Sequence, residues 1–329
     1  MYSAVTTQYS MLIRDGPDEP GHGRWGAMTV NTSAGRYYRI YCMQVCILFR
    51  FLNIAALLFP LMAQAENLKV ATWNLNWLTL RPAGDRELPD DVTPRQPEDF
   101  DRLAQYAAEL NPDIVAMEEV DGYAPASRLF PRDKYALLFS RDHVVQRVGI
   151  AVRRGLHYDI NPDLKALSAH HLRSGVDVTV HLRERDLRIL AVHLKKGCRE
   201  VPLPQANSRA CEELRDQLPP LQEWIAARQQ DGVPFLILGD FNRWMENGDT
   251  FYAGMQQAGP LVRATEGKAS PCWGHESFID HIMAGGPART WLQTDSLRVM
   301  VYKETGKEWQ EKLSDHCPLA VTLTVPGGG

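Results

Sequence analysis

Leu236-Ile237-Leu238-Gly239-Asp240-Phe241-Asn242 decides how this chain is read. A short apolar run, opened by Pro234, ends abruptly in a glycine, an acid and an amide. Apolar runs of this length, bounded by proline and glycine, form buried strands. A carboxylate and an amide are costly to bury unpaired, so the C-terminal end of this strand is expected to reach water. The segment then acts as a rigid central strand that delivers Asp240 and Asn242 to a cleft. Taken alone, the same letters also suit a strand followed by an ordinary Asp/Asn turn. The other strand ends of the chain weigh against that simpler reading.

Upstream, Leu68–Asn74 alternates and is β-branched, the pattern of a first strand, and it ends in Asn74-Leu75-Asn76. Residues 80–96, rich in Pro, Asp and Arg, read as a loop. Pro97-Glu98-Asp99 opens a helix with Phe100, Leu103, Ala104, Ala107 and Leu110 at helical spacing. Pro112–Val120 is a second buried strand whose end carries Glu118 and Glu119. Alternation along a strand turns one of these acids to the core and the other to the cleft. Tyr135–Phe139, Gly149–Val152, Gly175–Leu182 and Leu187–Leu194 are further strands, several of them antiparallel. The last two are joined by a turn at Arg183–Asp186, and the second carries His193 near its end. One long helix is expected over about Ala206–Arg228, striped by Leu214, Leu218, Leu221, Trp224 and Ile225.

Downstream, residues 243–275 read as loop, and Phe278–Ile282 as a strand with Asp280 in its middle. Ser314-Asp315-His316 leads into a last strand, Leu319–Val325. Strands dominate and no second break in composition appears, which points to one α/β domain built on two packed sheets.

The N-terminal part differs. Residues 1–42 carry scattered Gly, Tyr and Arg with no period from which a core can be read. From Met43 an apolar stretch runs to Ala63-Gln64-Ala65, a small-residue cleavage signature. The stretch is interrupted by Arg50 and Asn53, and is too short to span a bilayer comfortably. It reads as a secretory signal peptide over 43–65, with 1–42 a disordered extension from a start codon set too early. The domain is then 66–329, periplasmic or secreted, with no membrane anchor after cleavage.

The 329 residues hold 36 basic and 40 acidic side chains, of which five and three lie in residues 1–65. The mature chain therefore carries 31 against 37, a net charge of −6. No global field draws such a protein onto polyanions, so phosphate binding must come from a local patch or a metal ion. Four of the six cysteines follow the cleavage site, an even number suited to disulfides in an exported chain. Cys198 and Cys211 flank one loop-to-helix segment and are paired here, leaving Cys272 with Cys317. Their spacing fits no zinc pattern.

Asn74, Asn76, Glu119, His193, Asp240, Asn242, Asp280, Asp315 and His316 all stand at or near strand ends far apart in sequence. One such acid is usually just solvated; the set is harder to dismiss. Trp73-Asn74, Met117-Glu118-Glu119, Gly239-Asp240-Phe241-Asn242, Ile279-Asp280 and Ser314-Asp315-His316 follow one another in an order that resembles the endonuclease/exonuclease/phosphatase superfamily, in its deoxyribonuclease I-like branch. The resemblance covers roughly residues 68–325. It implies an α/β (α+β) fold, a four-layer αββα sandwich of two mostly antiparallel sheets flanked by helices. It also implies metal-dependent phosphoester hydrolysis.

By that resemblance Glu119 is a metal ligand, assisted by Asn76, with Asp315 available to a second ion. Hard oxygen donors of this kind suit Mg²⁺, with Mn²⁺ or Ca²⁺ as substitutes. Asp240 orients or deprotonates the attacking water, and Asn74 and Asn242 hold the phosphate. Asp280 pairs with His316 and raises its pKa. His193 resembles the general acid of the secreted deoxyribonucleases, and Arg173 a phosphate-contacting arginine. The chain departs from the pattern where a glutamate supports that histidine: the nearest match is Gln146, a neutral amide that stabilises imidazolium less. Lys195, Lys196 and Arg199 form the one basic cluster beside these residues.

Three functions are compatible with this set. The first is an exported nuclease acting on DNA or RNA, with nucleic acid as substrate and no stable protein partner. The second is a phosphatase or lipid head-group phosphodiesterase, sphingomyelinase-like, which an exposed aromatic hairpin would support; Trp244, Phe251 and Tyr252 cluster after the central motif but read as core or rim packing. The third is a non-catalytic binding module, disfavoured because clustered buried carboxylates are costly without a role. The nuclease is preferred for His193, the cysteine pattern and the basic cluster.

Overall fold

In this computed structural model the described residues are 65–274 and 277–327, plus a hairpin of β1 (Met28–Asn31) and β2 (Tyr37–Ile40). Apart from that hairpin and Ala65, the expected extension 1–42 and signal peptide 43–65 lie outside the described residues.

Twelve strands form two six-stranded sheets. One runs, edge to edge, β11 (Leu261–Arg263), β12 (Asp280–Gly285), β10 (Phe235–Asp240), β9 (Asp186–His193), β8 (Val176–His181) and β7 (His157–Ile160). The other runs β13 (Leu292–Val299), β14 (Leu319–Val325), β3 (Glu66–Leu78), β4 (Ile114–Val120), β6 (Arg147–Arg153) and β5 (Tyr135–Phe139). Both are mixed: β9 with β10 and β3 with β4 are parallel, and the remaining pairs antiparallel.

Strand alternation explains the layering. On β10, Leu236 and Leu238 join a core between the sheets, while Phe235 and Ile237 face a second core. That second core lies under helices α3 (Arg209–Asp216), α4 (Leu218–Asp231) and α5 (Thr250–Ala258). On β4, Ile114 and Ala116 face the inter-sheet core. Val115 and Met117 face a third, under α1 (Pro97–Leu110) and α2 (Tyr123–Leu129). Central strands apolar on both faces need cover on both faces. The four-layer sandwich expected from the sequence is the result.

Local chemistry sets the boundaries. α1 starts with Pro97 at its first position, and the Asp99 carboxylate accepts from the Gln96 N–H at 2.9 Å. The single helix expected over Ala206–Arg228 is instead two, broken at Gln217. Pro219 and Pro220 lack the N–H a continuous helix requires, and suit the first turn of a new one. The loop expected over 243–275 contains α5, capped by the Asp249 side chain on the Tyr252 N–H, and the short β11. Phe251 and Tyr252 are buried in the core beneath α5, so they form no membrane-facing surface. Both expected disulfides, Cys198–Cys211 and Cys272–Cys317, are present.

Gly239 is fixed by its neighbour. Its φ is 141°, and a Cβ there would lie 1.9 Å from the Val192 carbonyl oxygen on β9. Gly239→Ala should cost at least about 2 kcal/mol, from overpacking and backbone strain together. Urea unfolding of the two proteins reads this directly; a loss below about 0.5 kcal/mol would show that β9 and β10 can separate freely.

Candidate active site

Pairing register aligns the polar strand ends. Asp240 on β10 lies directly opposite His193 on β9 and Asp280 on β12. In the other sheet, Asn74 on β3 lies opposite Glu118 on β4. Each has the parity of residues that face the inter-sheet core: Leu238, Ala191, Ile282, Val70 and Ala116. Where those strands run out of apolar residues, the inter-sheet layer continues as a cluster of acids, amides and histidines.

Asp240 is the hub. Its Oδ2 accepts from Asn74 Nδ2 at 2.9 Å and Asn242 Nδ2 at 3.1 Å, and its Oδ1 accepts from the Asn242 N–H at 2.7 Å. His193 Nε2 stands 3.6 Å and His316 Nε2 3.8 Å from Oδ2, too far for hydrogen bonds but close enough for charge to matter. Asp240 and Asn242 are nearly inaccessible (1% and 2% exposed), so this strand end does not reach water as expected. It stays buried because its polar atoms are partnered.

The Asn74 amide joins both sheets, donating also to Glu119 Oε1 at 3.2 Å. Glu119 has φ 60°, Asn76 43°, Trp77 56° and Asn242 52°. Four non-glycine residues in the left-handed region cost roughly 1–3 kcal/mol each, and such strain gathers at functional sites. It re-aims side chains: Glu119 turns away from the face that strict alternation would give it, and accepts from the Trp77 N–H at 3.2 Å. Glu118 takes the core side, fully buried, and among the described residues the Thr72 hydroxyl is its one hydrogen-bond partner, at 3.1 and 3.3 Å.

His316 and Asp280 meet as expected. The Asp280 Oδ2 accepts from His316 Nδ1 at 2.8 Å. Burial opposes charge on the ring, but Asp280 and then Asp240 outweigh it and hold the His316 pKa well above the ordinary histidine value. His193 behaves oppositely. Burial first, then Arg173, His316 and Lys196, push its pKa well below the ordinary value. The ring is neutral at pH 7, and its buried Nδ1 has no partner among the described residues. Gln146 does not support it: that amide donates to Glu119 and accepts from Arg173 Nη2 at 2.7 Å. These shifts favour a charged His316 and a neutral His193 at pH 7. Asp240 is pushed up to about 7, chiefly by burial, with His316 opposing and Asp280 reinforcing.

The remaining expected residues lie at the margin. Asn76 donates its N–H to Asn74 Oδ1 at 2.9 Å and its amide to the Gln310 carbonyl at 3.1 Å. Asp315 is 42% exposed, with Oδ1 3.9 Å from His316 Nε2. Lys195 is drawn off by Glu213 at 2.7 Å, while Lys196 and Arg199 are exposed.

Two buried arginines that the sequence did not mark hold the frame. Arg95, from the 80–96 loop, donates to the carbonyls of Leu75, Trp77, Lys312 and Leu313 at 2.6–3.1 Å. Arg243 donates to the carbonyls of Cys198 and Val201 and to the Asp249 carboxylate. Nothing in their spacing distinguishes them from surface arginines.

Asp240, Asp280 and His316 offer ligand atoms within 4.8 Å of one another, so this corner could also hold an ion. A charged His316 disfavours a cation there. The oxygen-rich side, with Glu119 and the Asn74–Asn76 turn, has the hard donors a divalent cation prefers. The buried Asp280 Oδ1 has no hydrogen-bond partner among the described residues.

Residues 71–316, well over half of the chain, match the model of the Endonuclease/Exonuclease/phosphatase family. The chain belongs to the endonuclease/exonuclease/phosphatase family. Solved structures share the fold at low identity. An AP endonuclease, LMAP, from Leishmania major superposes with a TM-score of 0.55 at 12% identity, over 79% of this chain and 88% of that one. D. rerio TDP2, in complex with a single-strand DNA product, gives 0.53 at 17%, over 79% and 100%. An AP endonuclease from Archaeoglobus fulgidus gives 0.53 at 17%, over 78% and 100%. No curated protein matches the chain by sequence.

In this family member Glu118 provides a test of site electrostatics apart from activity. Burial, then Asp280 and Asp240, raise its pKa well above the ordinary value of 4.5. The folded state thus keeps a proton that the unfolded chain loses as pH rises past about 4.5. Stability from this group is full below that pH and declines toward the folded-state pKa, by at most about 1.4 kcal/mol per pH unit. Glu118→Gln should therefore stabilise the protein more at pH 8 than at pH 5, measured by urea unfolding. An equal effect at both values would contradict a protonated, buried Glu118.

Proposed function

We propose that the protein is an exported, metal-dependent phosphodiesterase whose substrate is nucleic acid, a deoxyribonuclease I-like nuclease. The observation that carries this reading is the His193–Asp240–Asp280 row facing Asn74, whose amide is shared by Asp240 and Glu119. The D. rerio neighbour holds a single-strand DNA product, which supports a nucleic acid substrate. The two disulfides support a periplasmic or secreted location.

Asp240 is the general base. A carboxyl titrating near 7 is matched to removing a proton from water at neutral pH. Asn74 and Asn242 hold that carboxylate and offer amide groups to the phosphate. The His316 imidazolium, fixed by Asp280, contacts the phosphoryl group and protonates the leaving oxygen as the P–O bond breaks. His193, neutral, acts as a hydrogen-bond donor to the phosphate, and Arg173 supplies a fixed positive charge beside it. Glu119, assisted by Asn76 and Asp315, would hold a divalent cation (Mg²⁺, with Mn²⁺ or Ca²⁺ as substitutes), which would supply neutralisation of charge on the phosphoryl oxygens.

The test is the protein from Glu66 onward, incubated with plasmid, sphingomyelin and p-nitrophenyl phosphate esters, in Mg²⁺ or EDTA. Plasmid cleavage abolished by EDTA is expected, with kcat/KM falling as pH drops below about 7. Asp240→Asn should lower the rate by about a hundredfold or more, with the fold intact by circular dichroism. Hydrolysis of sphingomyelin without plasmid cleavage would favour the lipid head-group reading instead, and retention of most activity in Asp240→Asn would refute its role.

A further inference from the structure

A cleft of about 490 Å³ opens beside Glu119, a size common for small-molecule sites. Trp77, His143, Gln146, His171, Arg173 and Lys196 line it. It is continuous with the site: Trp77 and Gln146 both donate to Glu119, and Arg173 donates to Gln146.

The charge of this cleft is one-sided. Arg173 is half-buried, bonds the Gln146 side chain and carbonyl, and has no carboxylate partner among the described residues. Lys196 forms no ion pair among the described residues either. Lys195 also lines the cleft but is held by Glu213, and the one acid on the wall, Glu87, is held by Arg81 at 2.6 Å. Two wall residues stand on left-handed backbone, Trp77 at φ 56° and His171 at φ 62°. Each is sustained against a local cost, as residues that clamp ligands are. The Lys196 ammonium and the Arg173 guanidinium, which Glu119, Asp240 and Asp142 influence by charge without pairing with it, stand with a half-buried indole in one wall that complements a phosphate joined to a planar ring.

We propose that this cleft is a nucleotide subsite, binding the phosphate and base that flank the scissile phosphodiester. Lys196 holds the flanking phosphate, Trp77 lies against the base, and Arg173 stays on the side of the scissile phosphate. The inference rests on the phosphodiesterase reading and narrows its substrate: the preferred unit contains at least two successive phosphates of one strand.

The test compares cleavage of the internal diester in TpT, which has a single phosphate, with pTpT and TpTp, which add one on either side. bis(p-Nitrophenyl) phosphate reports diester hydrolysis alone. One flanked dinucleotide is expected to exceed TpT by about tenfold in kcat/KM. Lys196→Ala should bring that ratio close to one, Lys196→Arg should preserve most of it, and Trp77→Ala should raise KM for the flanked substrate more than for bis(p-nitrophenyl) phosphate. Hydrolysis of TpT with no gain from either flanking phosphate, or a gain that survives Lys196→Ala, would overturn the subsite while leaving the phosphodiesterase reading intact. Inertness of bis(p-nitrophenyl) phosphate and of all three dinucleotides would remove that reading, and the subsite with it.

Discussion

The Asp240 carboxylate, buried at the end of a central strand, is the constraint to which the rest of this structure answers. An isolated carboxylate in such a place would be prohibitively costly, so it must be partnered or protonated. One partner is local, Asn242 just beyond β10; the others come from distant parts of the chain, Asn74 from β3 and two histidines near enough to act through charge. Asp280 directly opposite makes the problem worse, since like charges across a strand pair repel. His316 relieves it by bonding Asp280 while standing near Asp240. These two carboxylates and the imidazole are therefore stable only as a set.

Such a set needs a rigid frame, and the frame is built from backbone carbonyls. Ser314 Oγ donates to the Asn74 carbonyl at 2.7 Å and accepts from the His316 N–H at 3.0 Å, tying the histidine segment to the bulged end of β3. Arg95 clamps the same two segments from the other side. Arg243 pins the chain just after Asn242 to the loop closed by Cys198–Cys211, and its own carbonyl accepts from His281 Nε2 at 3.0 Å. Each clamp joins pieces that alternation and apolar packing alone would leave adjacent but unlocked.

Much of this was legible in the sequence because periodicity is a local property. The buried strands at Leu68–Asn74, Pro112–Val120 and Leu236–Asp240 announced themselves through apolar runs with abrupt polar ends, and the order of those ends carried the family resemblance. Local spacing showed that Glu118 and Glu119 take different sides, but not which of them faces the core, which the left-handed backbone at Glu119 decides. Register was not legible: nothing in the sequence shows that His193, Asp240 and Asp280 form one row, or that Asp280 begins its strand instead of sitting mid-strand. Nor could local reading see that Asp240 would find a partner in Asn74 of the other sheet, and Asn242 partners in Asp240 and the Leu194 carbonyl, so that both remain buried. Gln146 was matched to the wrong neighbour for the same reason, since left-handed backbone at Glu119 decides which side chain its amide meets.

The central claim is that these strand ends function as one unit and not as separate contributors. The most direct measurement is a double-mutant cycle in kcat/KM on bis(p-nitrophenyl) phosphate with Asp240→Asn, His316→Gln and the pair combined. A coupled unit predicts that the double variant loses little more than the worse single variant, because each residue holds the other in its working charge state and attack and departure belong to one displacement. Losses that simply multiply would show that Asp240 and His316 act independently, and would contradict the account.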